Sequence, residues 1–528
     1  MKVLDHPAVE DAFPDWYELQ SDWNLQQYRD QTFLQEFHDA NYQGGSGTRS
    51  TTTPSDDRIR IAIIEAKLSP QTDVVNDFVF TGPNQINSSH VNWLGAGSPL
   101  TRLTAELFCP EDDECEPEDF PSSNATHGTT VASIAAGGAV VFTSFRAGIL
   151  PRALIRYYRT EQITNIKEAL EQAMIWGADV ANVSIGVPCG LPFGTCGNQL
   201  NCGDLNPLLA TVMDMGMVVA WSAGNYQNDP NWPTFKVPDN YDCNVQYPAF
   251  RPEVISVGGA GDTDTTSSFS NAALGRYSGR GFLKADRGGS LGGRFDMAAV
   301  SVVAPGVIGG QMTEGVNTFG DNSAGRVWSI PQEGNSFSTP VVAGAAGLFR
   351  EWMDTHAPAN KDSVPHIRAM ITAMGSGLGA RTVGGDLRSG VGRFWGAGKF
   401  FAHPVNQLPG GGFRQSADWV IEGWTTTAMQ LPALPSSTKV LKIGAFIKVH
   451  DLTQVPHIFM LVKDACDGMR LLGHDLNFGV EKFIRIEAPS AGGGICPVVE
   501  YYGLSVSWVP TAYTFAYWTN DPNYANEH

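Results

Sequence analysis

The sequence lacks any run of apolar residues long enough to cross a membrane, which takes roughly 18 residues or more. The best candidate, from Val131 to Phe142, is short and rich in alanine and glycine, so it predicts a buried helix instead. The N-terminus also lacks the apolar core of a secretion signal, because acidic residues interrupt it at once. We therefore expect no membrane span, and no secretion signal is visible in the sequence.

Basic residues are scarce relative to acidic ones. The chain has 35 Lys and Arg residues against 54 Asp and Glu residues, which gives a formal net charge of -19. That excess argues against a protein that follows nucleic-acid phosphates and against binding to an anionic membrane surface. The 528 residues, 42% hydrophobic and 17% charged, are typical of a globular protein with two or more domains.

The eight cysteines lack the spacing of a zinc site, since neither a CxxC nor a paired-histidine pattern is present. Even numbers within local groups favour disulfides over free thiols. The groups are Cys109 and Cys115; Cys189, Cys196, Cys202 and Cys243; and Cys466 and Cys496. Because disulfides imply an oxidising compartment, a secreted or extracytoplasmic location is favoured. A cytoplasmic location is the alternative, because no signal is visible.

Changes of composition divide the chain into three parts. Residues 1–57 form an N-terminal arm and linker, in which scattered aromatic residues predict short amphipathic helices and residues 44–57 predict a flexible linker. Residues 58–403 alternate strand-like and helix-like patterns, which predicts βαβ units and a parallel sheet. Residues 404–528 hold several strand-like segments with no helix between them, which predicts an all-β sandwich. The expected fold class is α/β, followed by a β-sandwich domain.

Four polar residues stand where predicted strands end or predicted helices begin. "RIRIAIIEAKLSP" leads through apolar residues to Glu65, and "VVAWSAGN" ends a strand at Asn225. "NATHGTTVASIAAGG" and "GNSFSTPVVAGAAGLF" begin helices with His127 and Ser336, and Pro340 is expected in the first turn of the second helix. Catalytic groups gather at the carboxyl ends of parallel strands. This set supplies a nucleophile, a base, an acid and an oxyanion donor.

These segments resemble the subtilisin-like serine proteases (subtilases) over roughly residues 58–402. "HGTTVAS" is similar to the family's HGTxVA histidine block, and "GNSFSTP" to its GTSxxxP serine block. "GADVANVSIG", "VVAWSAGN", "FSN", "VVAPG" and "VGRFWGAGKFFA" also fall where the family has similar segments. The chain order of acid, histidine and serine is that of subtilisin.

The resemblance implies a role for each residue. Ser336 is the expected nucleophile, His127 its general base, and Glu65 the acid that orients His127. Asn225 and the Ser336 N–H would form the oxyanion hole. Six residues would bind substrate: Ser184, Ile185 and Gly186 as one wall of the cleft, and Ser222, Ala223 and Gly224 as part of the primary specificity pocket. The implied activity is that of a serine endopeptidase acting through an acyl-enzyme.

Glu65 departs from the family pattern, which has Asp followed by Ser or Thr and then Gly. Here the three residues are Glu65, Ala66 and Lys67. Either carboxylate can fix the imidazole tautomer, and Glu serves in triads of the α/β-hydrolase fold. We favour a working Ser-His-Glu triad over a catalytically weak relative that binds polypeptide without cutting it, with Asp73 as a fallback acid. A different Ser-His hydrolase, such as an esterase, is disfavoured by the block order and by the missing GxSxG motif.

Two loops are candidates for setting specificity. "CPEDDECEPEDF" predicts a preference for basic side chains in the substrate, and its alternative is a solvated loop or a calcium site. The loop from Cys189 to Asp204 either fences the substrate path or is a disulfide-tied insertion. The expected partners are a polypeptide substrate and an inhibitory propeptide or inhibitor protein. We expect no cofactor in catalysis. Structural calcium is compatible with the family, but no segment shows a ligand pattern, so metal ligands are not assigned.

Overall fold

The computed structural model describes 27 stretches of the chain, and the statements below concern these residues. They are residues 25–45, 58–66, 94–95, 98–101, 103–105, 127–137, 148–160, 163–185, 205–225, 245–261, 272, 274–275, 278–279, 282–285, 295–298, 300–314, 326–377, 381–383, 387–389, 395–416, 418–421, 426–448, 458–467, 470–474, 480–487, 494–503 and 510–521. Asp73, the acidic segment 109–120 and the loop 189–204 lie outside them.

Seven α-helices occur in the described residues, and two 3₁₀ turns follow the last two long helices at Pro358–Asn360 and Val405–Gln407. The α-helices are α1 (Leu25–Gln31), α2 (Leu34–Asp39), α3 (His127–Ala136), α4 (Ile163–Trp176), α5 (Asn206–Asp214), α6 (Asn335–His356) and α7 (Val364–Ala373).

Thirteen strands occur in the described residues up to position 333, and seven of them form one parallel sheet. The strands are β1 (Arg60–Ala66), β2 (Leu94–Gly95), β3 (Ser98–Thr101), β4 (Leu103–Ala105), β5 (Leu154–Thr160), β6 (Val180–Val183), β7 (Val218–Ser222), β8 (Ile255–Ala260), β9 (Phe282–Ala285), β10 (Phe295–Ala298), β11 (Val302–Pro305), β12 (Val307–Glu314) and β13 (Arg326–Glu333). The parallel sheet has the order β11-β8-β7-β6-β1-β5-β4. The hairpins β2-β3, β9-β10 and β12-β13 lie outside it.

The central position of β1 in the sheet explains why its sequence is apolar. Its residues 61–64 are completely buried, and it pairs in parallel with β5 on one side and β6 on the other. A strand buried on both faces needs apolar residues in succession rather than in alternation. Because the chain passes from β5 across β1 to β6, the sheet has a switch point there, and its carboxyl edge opens into a crevice.

Helix α6 lies at the centre of this α/β domain. Its residues 335–349 are all buried, and it contacts α3, β6, β7, β8 and β11. Ile149 and Leu150 come within 2.7 and 2.6 Å of where a Cβ atom would stand on Gly344 and Gly347. The small residues of α6 therefore let neighbouring segments approach its backbone.

The N-terminal arm belongs to the same core. Tyr28, Leu34 and Phe37 are at most 1% exposed and lie in one hydrophobic cluster with the parallel sheet. The N–H groups of Gly44 and Gly45 donate to the Glu351 carboxylate of α6 at 2.7 and 2.9 Å. The arm thus covers the C-terminal half of α6, the helix that carries Ser336 in its first turn.

One histidine of the arm is buried in its neutral form. His38 donates from Nε2 to the carbonyl oxygen of Ile149 over 2.7 Å. Burial, aided by the nearby charge of Arg29, lowers the pKa of His38 to about 4. The proton is therefore excluded from this side chain as long as α2 stays packed.

The C-terminal part of the described chain is built from antiparallel sheets. Its strands are β14 (Arg381–Val383), β15 (Leu387–Ser389), β16 (Gly412–Gln415), β17 (Trp419–Val420), β18 (Thr426–Gln430), β19 (Val440–Lys448), β20 (Ile458–Asp464), β21 (Arg470–His474), β22 (Glu481–Glu487), β23 (Pro497–Gly503) and β24 (Thr511–Thr519). One sheet runs β14-β15-β22-β19-β24-β16, with β17 also paired to β24, and the other runs β18-β23-β20-β21. A separate hydrophobic cluster fills the space between the sheets. The predicted fold class, α/β followed by β, is confirmed.

The β domain packs tightly on α7. A Cβ atom on Gly444 of β19 would stand 2.3 Å from the carbonyl oxygen of Ala369, so helix and strand touch through their backbones. Beside this contact, Arg368 of α7 forms an ion pair with Glu481 of β22 at 2.8 Å, and both side chains are buried. The same guanidinium also donates to the carbonyl oxygen of Pro252. Arg368 thus ties the two domains together by several contacts.

The two cysteines in the described residues, Cys466 and Cys496, form a disulfide next to β20 and β23. Asp464 Oδ1 accepts the backbone N–H of both, each over 2.9 Å. The presence of a disulfide, favoured by the even number of cysteines, is confirmed here, and the other six cysteines lie outside the described residues. Among the helices that the structure describes, none combines the length and apolarity needed to cross a membrane.

Replacing Glu481 by Ala should lower the free energy of unfolding by about 3–5 kcal/mol, because Arg368 would keep a buried charge without its carboxylate. The matched control is Asp214→Ala, which breaks an exposed ion pair with Lys448 and should cost at most about 1 kcal/mol. Urea unfolding measures both losses. Equal losses in the two variants would contradict the role of the buried pair.

Acidification should destabilise the protein through His38. The unfolded chain takes up this proton near pH 6.5 and the folded chain only near pH 4, so stability falls as the pH drops through that window. The loss from this residue should reach about 3 kcal/mol. His38→Gln retains a donor for Ile149 but does not titrate. Its unfolding free energy should therefore fall less steeply between pH 7 and pH 4, and identical slopes would argue against this assignment.

Candidate active site

Three of the predicted residues lie at the carboxyl edge of the parallel sheet. Glu65 is the next-to-last residue of β1, Ser184 directly follows β6, and Asn225 lies three residues beyond β7. Since β1, β6 and β7 are neighbours in the sheet, these positions are adjacent. Helix α6 begins against the same edge and carries Ser336 in its first turn.

The segments expected to carry the acid and the base also meet here. Glu65 is only 2% exposed, although a carboxylate is rarely buried unless it interacts with other groups. His127 is the first residue of α3, and α3 packs against both β1 and α6. The side chain of His127 lies outside the described residues. The structure therefore brings together the segments bearing Glu65, His127 and Ser336, without describing the imidazole itself.

Ser336 and Ser184 exchange two hydrogen bonds. The Ser336 hydroxyl donates to the Ser184 carbonyl oxygen at 3.1 Å, and the Ser184 hydroxyl donates to the Ser336 carbonyl oxygen at 3.0 Å. Asn182 Nδ2 in turn donates to the Ser184 hydroxyl at 3.0 Å. This buried chain fixes the first turn of α6 to the end of β6.

Pro340 explains why the Ser336 carbonyl needs a side-chain donor. Helix α6 begins at Asn335, so Pro340 is its sixth residue and lies one turn further in than predicted. A proline there has no N–H for the carbonyl four residues earlier, which is that of Ser336. The Ser184 hydroxyl supplies the missing donor. The sequence motif that places proline four residues after Ser336 therefore also requires a donor from β6.

Two hydrogen-bond donors next to Ser336 have no acceptor in the described part of the protein. Asn225 Oδ1 accepts the N–H of Asn335 at 2.8 Å, and the Nδ2 group of this exposed side chain donates to none of the described residues. The backbone N–H of Ser336, the residue after Asn335, likewise donates to no described residue. The positive end of a 22-residue helix dipole lies at the same place. Such a pair of donors suits a negatively charged oxygen.

The predicted specificity pocket is a tight turn after β7. Ser222 and Ala223 are buried, and Gly224 has a φ of 96°, a backbone conformation that residues other than glycine rarely adopt. A Cβ atom on Gly224 would stand 2.8 Å from Cγ of Gln246. On the opposite wall, Ile185 is buried and its carbonyl oxygen accepts Nε1–H of Trp221 at 2.9 Å. Gly186 lies outside the described residues.

Sequence reasoning missed three residues of this site. Asn335 and Asn182 supply hydrogen bonds to the turn after β7 and to Ser184, and Gln246 packs against Gly224. Asn335 carries a visible signal, because it stands where the serine block has threonine. Gln246 carries none, since only the folded chain brings it against Gly224. Asn182 stands two residues before Ser184, but nothing in the sequence indicates that its side chain binds the Ser184 hydroxyl.

No cluster suited to a metal lies at this edge among the residues described. The one candidate group that the described residues contain, Asp464, Cys466 and Cys496, lies in the β domain. Its two sulfurs form the disulfide, and its carboxylate already accepts two N–H groups. These residues do not fit a metal ion.

Comparison with known proteins identifies the family. The subtilase family model matches residues 86–374, more than half of the chain, a range that includes His127, Asn225 and Ser336 but not Glu65. MycP1 with its N-terminal propeptide removed is 21% identical with a TM-score of 0.40, and the match covers 72% of this chain and 95% of that chain. The prenylagaramide maturation protease PagA is 18% identical with a TM-score of 0.38, and the match covers 70% of this chain and 94% of that chain. A mutant of the PatA protease domain is 18% identical with a TM-score of 0.37, and the match covers 65% of this chain and 91% of that chain. No curated protein matches the chain.

Replacing Gly224 by Ala should both destabilise the protein and slow reaction at Ser336. The left-handed backbone costs about 1–2 kcal/mol for a residue with a side chain, and the contact with Gln246 adds to it. Because Asn225 follows directly, its donor should move. The readouts are urea unfolding and the labelling rate of Ser336 with a fluorophosphonate.

The matched control for this prediction is Gly216→Ala. Gly216 has a φ of 90°, and a Cβ atom there would stand 2.9 Å from the carbonyl oxygen of Asp362. Its carbonyl accepts from Arg350, which lies in the C-terminal part of α6, whereas Ser336 lies in the first turn. The Gly216→Ala variant should lose a similar amount of stability, and its Ser336 should react with the fluorophosphonate at the normal rate. Equal labelling rates in both variants would mean that the turn at Gly224 does not position the donors.

Proposed function

The chain belongs to the subtilase family, and from this premise we propose that it is a serine endopeptidase acting through a Ser-His-Glu triad. Ser336 is the nucleophile, His127 the general base and Glu65 the acid that orients it. Asn225 Nδ2 and the Ser336 N–H form the oxyanion hole. The observation that carries this function most directly is the pair of donors at the start of α6, beside the buried Ser336, that bind no acceptor among the described residues.

The oxyanion hole draws support from its rigidity. The oxygen of the Asn225 carboxamide is held by the N–H of Asn335 at 2.8 Å, so the nitrogen has one orientation left. Donors that are fixed before reaction stabilise developing charge without reorganising. Losing the asparagine of a subtilisin oxyanion hole costs roughly 100- to 1000-fold in rate, a value measured on subtilisin itself.

Each bond change then has a residue assigned to it. Ser336 Oγ attacks the scissile carbonyl carbon as its proton passes to the imidazole of His127, and the carbonyl oxygen becomes the oxyanion. The imidazolium gives this proton to the leaving amine as the C–N bond breaks, which leaves the acyl-enzyme. The imidazole of His127 then takes a proton from water as the water oxygen attacks the acyl carbon. The bond between the acyl carbon and Ser336 Oγ breaks, Oγ takes the proton back from the imidazolium, and the new carboxyl end of the peptide leaves.

The hydrogen bond between Ser336 and Ser184 bears on the start of this sequence. In the free protein the hydroxyl donates to the Ser184 carbonyl, so it has to turn toward His127 before it can attack. The Ser184 carbonyl is then open to a backbone N–H of an extended substrate. The Ser184 carbonyl oxygen would thus accept first from the Ser336 hydroxyl in the free protein and then from the substrate backbone, once the hydroxyl has turned toward His127.

The assignment of Glu65 as the triad acid is a separate part of this proposal. A buried carboxylate beside an imidazolium acts in a low dielectric, where it stabilises the charge more than it would in water. Glu65 is one methylene longer than the usual Asp, and the family match begins only after it. These two facts favour one alternative, a catalytically weak relative that binds polypeptide in the same cleft.

The substrate we propose is a polypeptide chain, lying between the wall after β6 (Ser184, Ile185 and Gly186) and the turn after β7 (Ser222, Ala223 and Gly224). Catalysis by these groups needs no cofactor. An inhibitory propeptide or inhibitor protein would occupy the same cleft, because it presents the same extended backbone. Structural calcium remains a proposal from the family resemblance.

Variants of Glu65 test the proposal. Glu65→Ala should slow cleavage of fluorescent casein by up to about 10⁴-fold, because the imidazole loses its orienting acid. Glu65→Asp should retain activity within about 100-fold, since a displacement of roughly 1 Å can cost that much. Ser336→Ala is the control and should neither cleave casein nor react with a fluorophosphonate.

Two outcomes contradict different parts of the proposal. Full activity of Glu65→Ala would remove Glu65 from the triad. If the unaltered protein does not react with the fluorophosphonate, or reacts no faster than Ser336→Ala, the protein is not a serine peptidase. Binding of casein without cleavage would then favour the polypeptide-binding alternative.

A further inference from the structure

Asn335 connects the turn after β7 to the start of α6. Its Nδ2 group donates to the carbonyl oxygen of Gly224 at 2.8 Å, and its backbone N–H donates to Asn225 Oδ1 at 2.8 Å. The residue is completely buried, so its side chain cannot touch a substrate. Two successive residues of the turn are therefore held by two groups of a single residue.

The backbone hydrogen bond decides which way the Asn225 carboxamide faces. A carboxamide has an oxygen and a nitrogen of similar size, and the two can exchange places by rotation. Only the oxygen can accept the N–H of Asn335, so Nδ2 faces away from it. Gly334 leaves room for this orientation, because a Cβ atom there would stand 3.0 Å from Asn225 Nδ2.

The side-chain hydrogen bond keeps that geometry in place. Gly224 has a φ of 96°, which glycine adopts without strain, and its carbonyl directly precedes the backbone N–H of Asn225. Holding this carbonyl on Asn335 Nδ2 at 2.8 Å fixes the distance between the turn and the first turn of α6. Both oxyanion donors, Asn225 Nδ2 and the Ser336 N–H, then lie on segments that one residue joins.

We infer that Asn335 is a positioning residue of the oxyanion hole, which acts on the reaction through Asn225. This rests on the proposed function. In the serine block GTSxxxP the position belongs to threonine, whose hydroxyl is shorter by one atom than a carboxamide. The inference therefore concerns this chain in particular, in which a longer side chain spans from α6 to the Gly224 carbonyl.

A double-mutant cycle separates this role from a general loss of structure. The variants are Asn335→Ala, Asn225→Ala and the two combined, and the probe is an alkyl fluorophosphonate whose rate of reaction with Ser336 is measured over a range of concentrations. Asn335→Ala should lower the maximal labelling rate about tenfold or more and leave the half-saturating concentration nearly unchanged. In the Asn225→Ala background the same change should cost much less, because its target is already gone.

The matched control is Ser338→Ala. Ser338 donates its hydroxyl to the Asn335 carbonyl oxygen at 3.0 Å, so this variant also removes a buried hydrogen bond to Asn335 but leaves both contacts to the turn intact. It should label at nearly the normal rate. Where Asn335→Ala does not fold, the nearly isosteric Asn335→Asp takes its place in the same cycle, since it also lacks the Nδ2 donor at neutral pH.

The outcomes distinguish this inference from the proposed function. Losses that multiply in the double variant, or an equal loss in Ser338→Ala, would overturn the positioning role while the protein remains a serine peptidase. An unaltered protein that does not label at all would overturn the proposed function, and the positioning role with it.

Discussion

The burial of helix α6 is the constraint on which the rest of the structure depends. Its residues 335–349 are all buried, yet its first turn has to present Ser336 at the edge of the sheet. The neighbours of α6 pack closely around it, and its glycines Gly344 and Gly347 let Ile149 and Leu150 approach the helix backbone. The packing that buries the helix also fixes where Ser336 stands.

The far end of the same helix explains why the chain carries an arm and a β domain. Tyr42 of the arm meets His356 at 2.9 Å, and Glu351 binds the backbone of the arm. Trp352 packs edge-on against Phe413 of β16, with ring centroids 4.7 Å apart. Groups on both sides therefore hold the C-terminal half of α6, which lets its N-terminal turn keep a fixed geometry.

Polar groups at the start of α6 follow a common rule. A buried N–H or carbonyl is expensive to leave without a partner, so most of them are satisfied within the protein. The Ser336 carbonyl, deprived of a helical donor by Pro340, takes the Ser184 hydroxyl, and Asn225 Oδ1 takes the Asn335 N–H. Asn225 Nδ2 and the Ser336 N–H, which bind no acceptor in the part of the chain that the structure describes, are the donors that the proposed reaction uses.

The sequence by itself determined the fold class and the segments that form the crevice. Apolar runs such as residues 61–64 predict buried parallel strands, and local motifs around His127 and Ser336 predict helix starts, because both signals depend on neighbours in the chain. Only the tertiary structure decided which groups meet. Asn335 binds the Gly224 carbonyl across 111 residues of the chain, and Gln246 packs against Gly224 only in the folded protein. The Ser336 carbonyl, which Pro340 leaves without a helical donor, binds the hydroxyl of Ser184, 152 residues away in the chain. Hydrogen bonds of this kind depend on the packing of whole elements, and no local pattern encodes them.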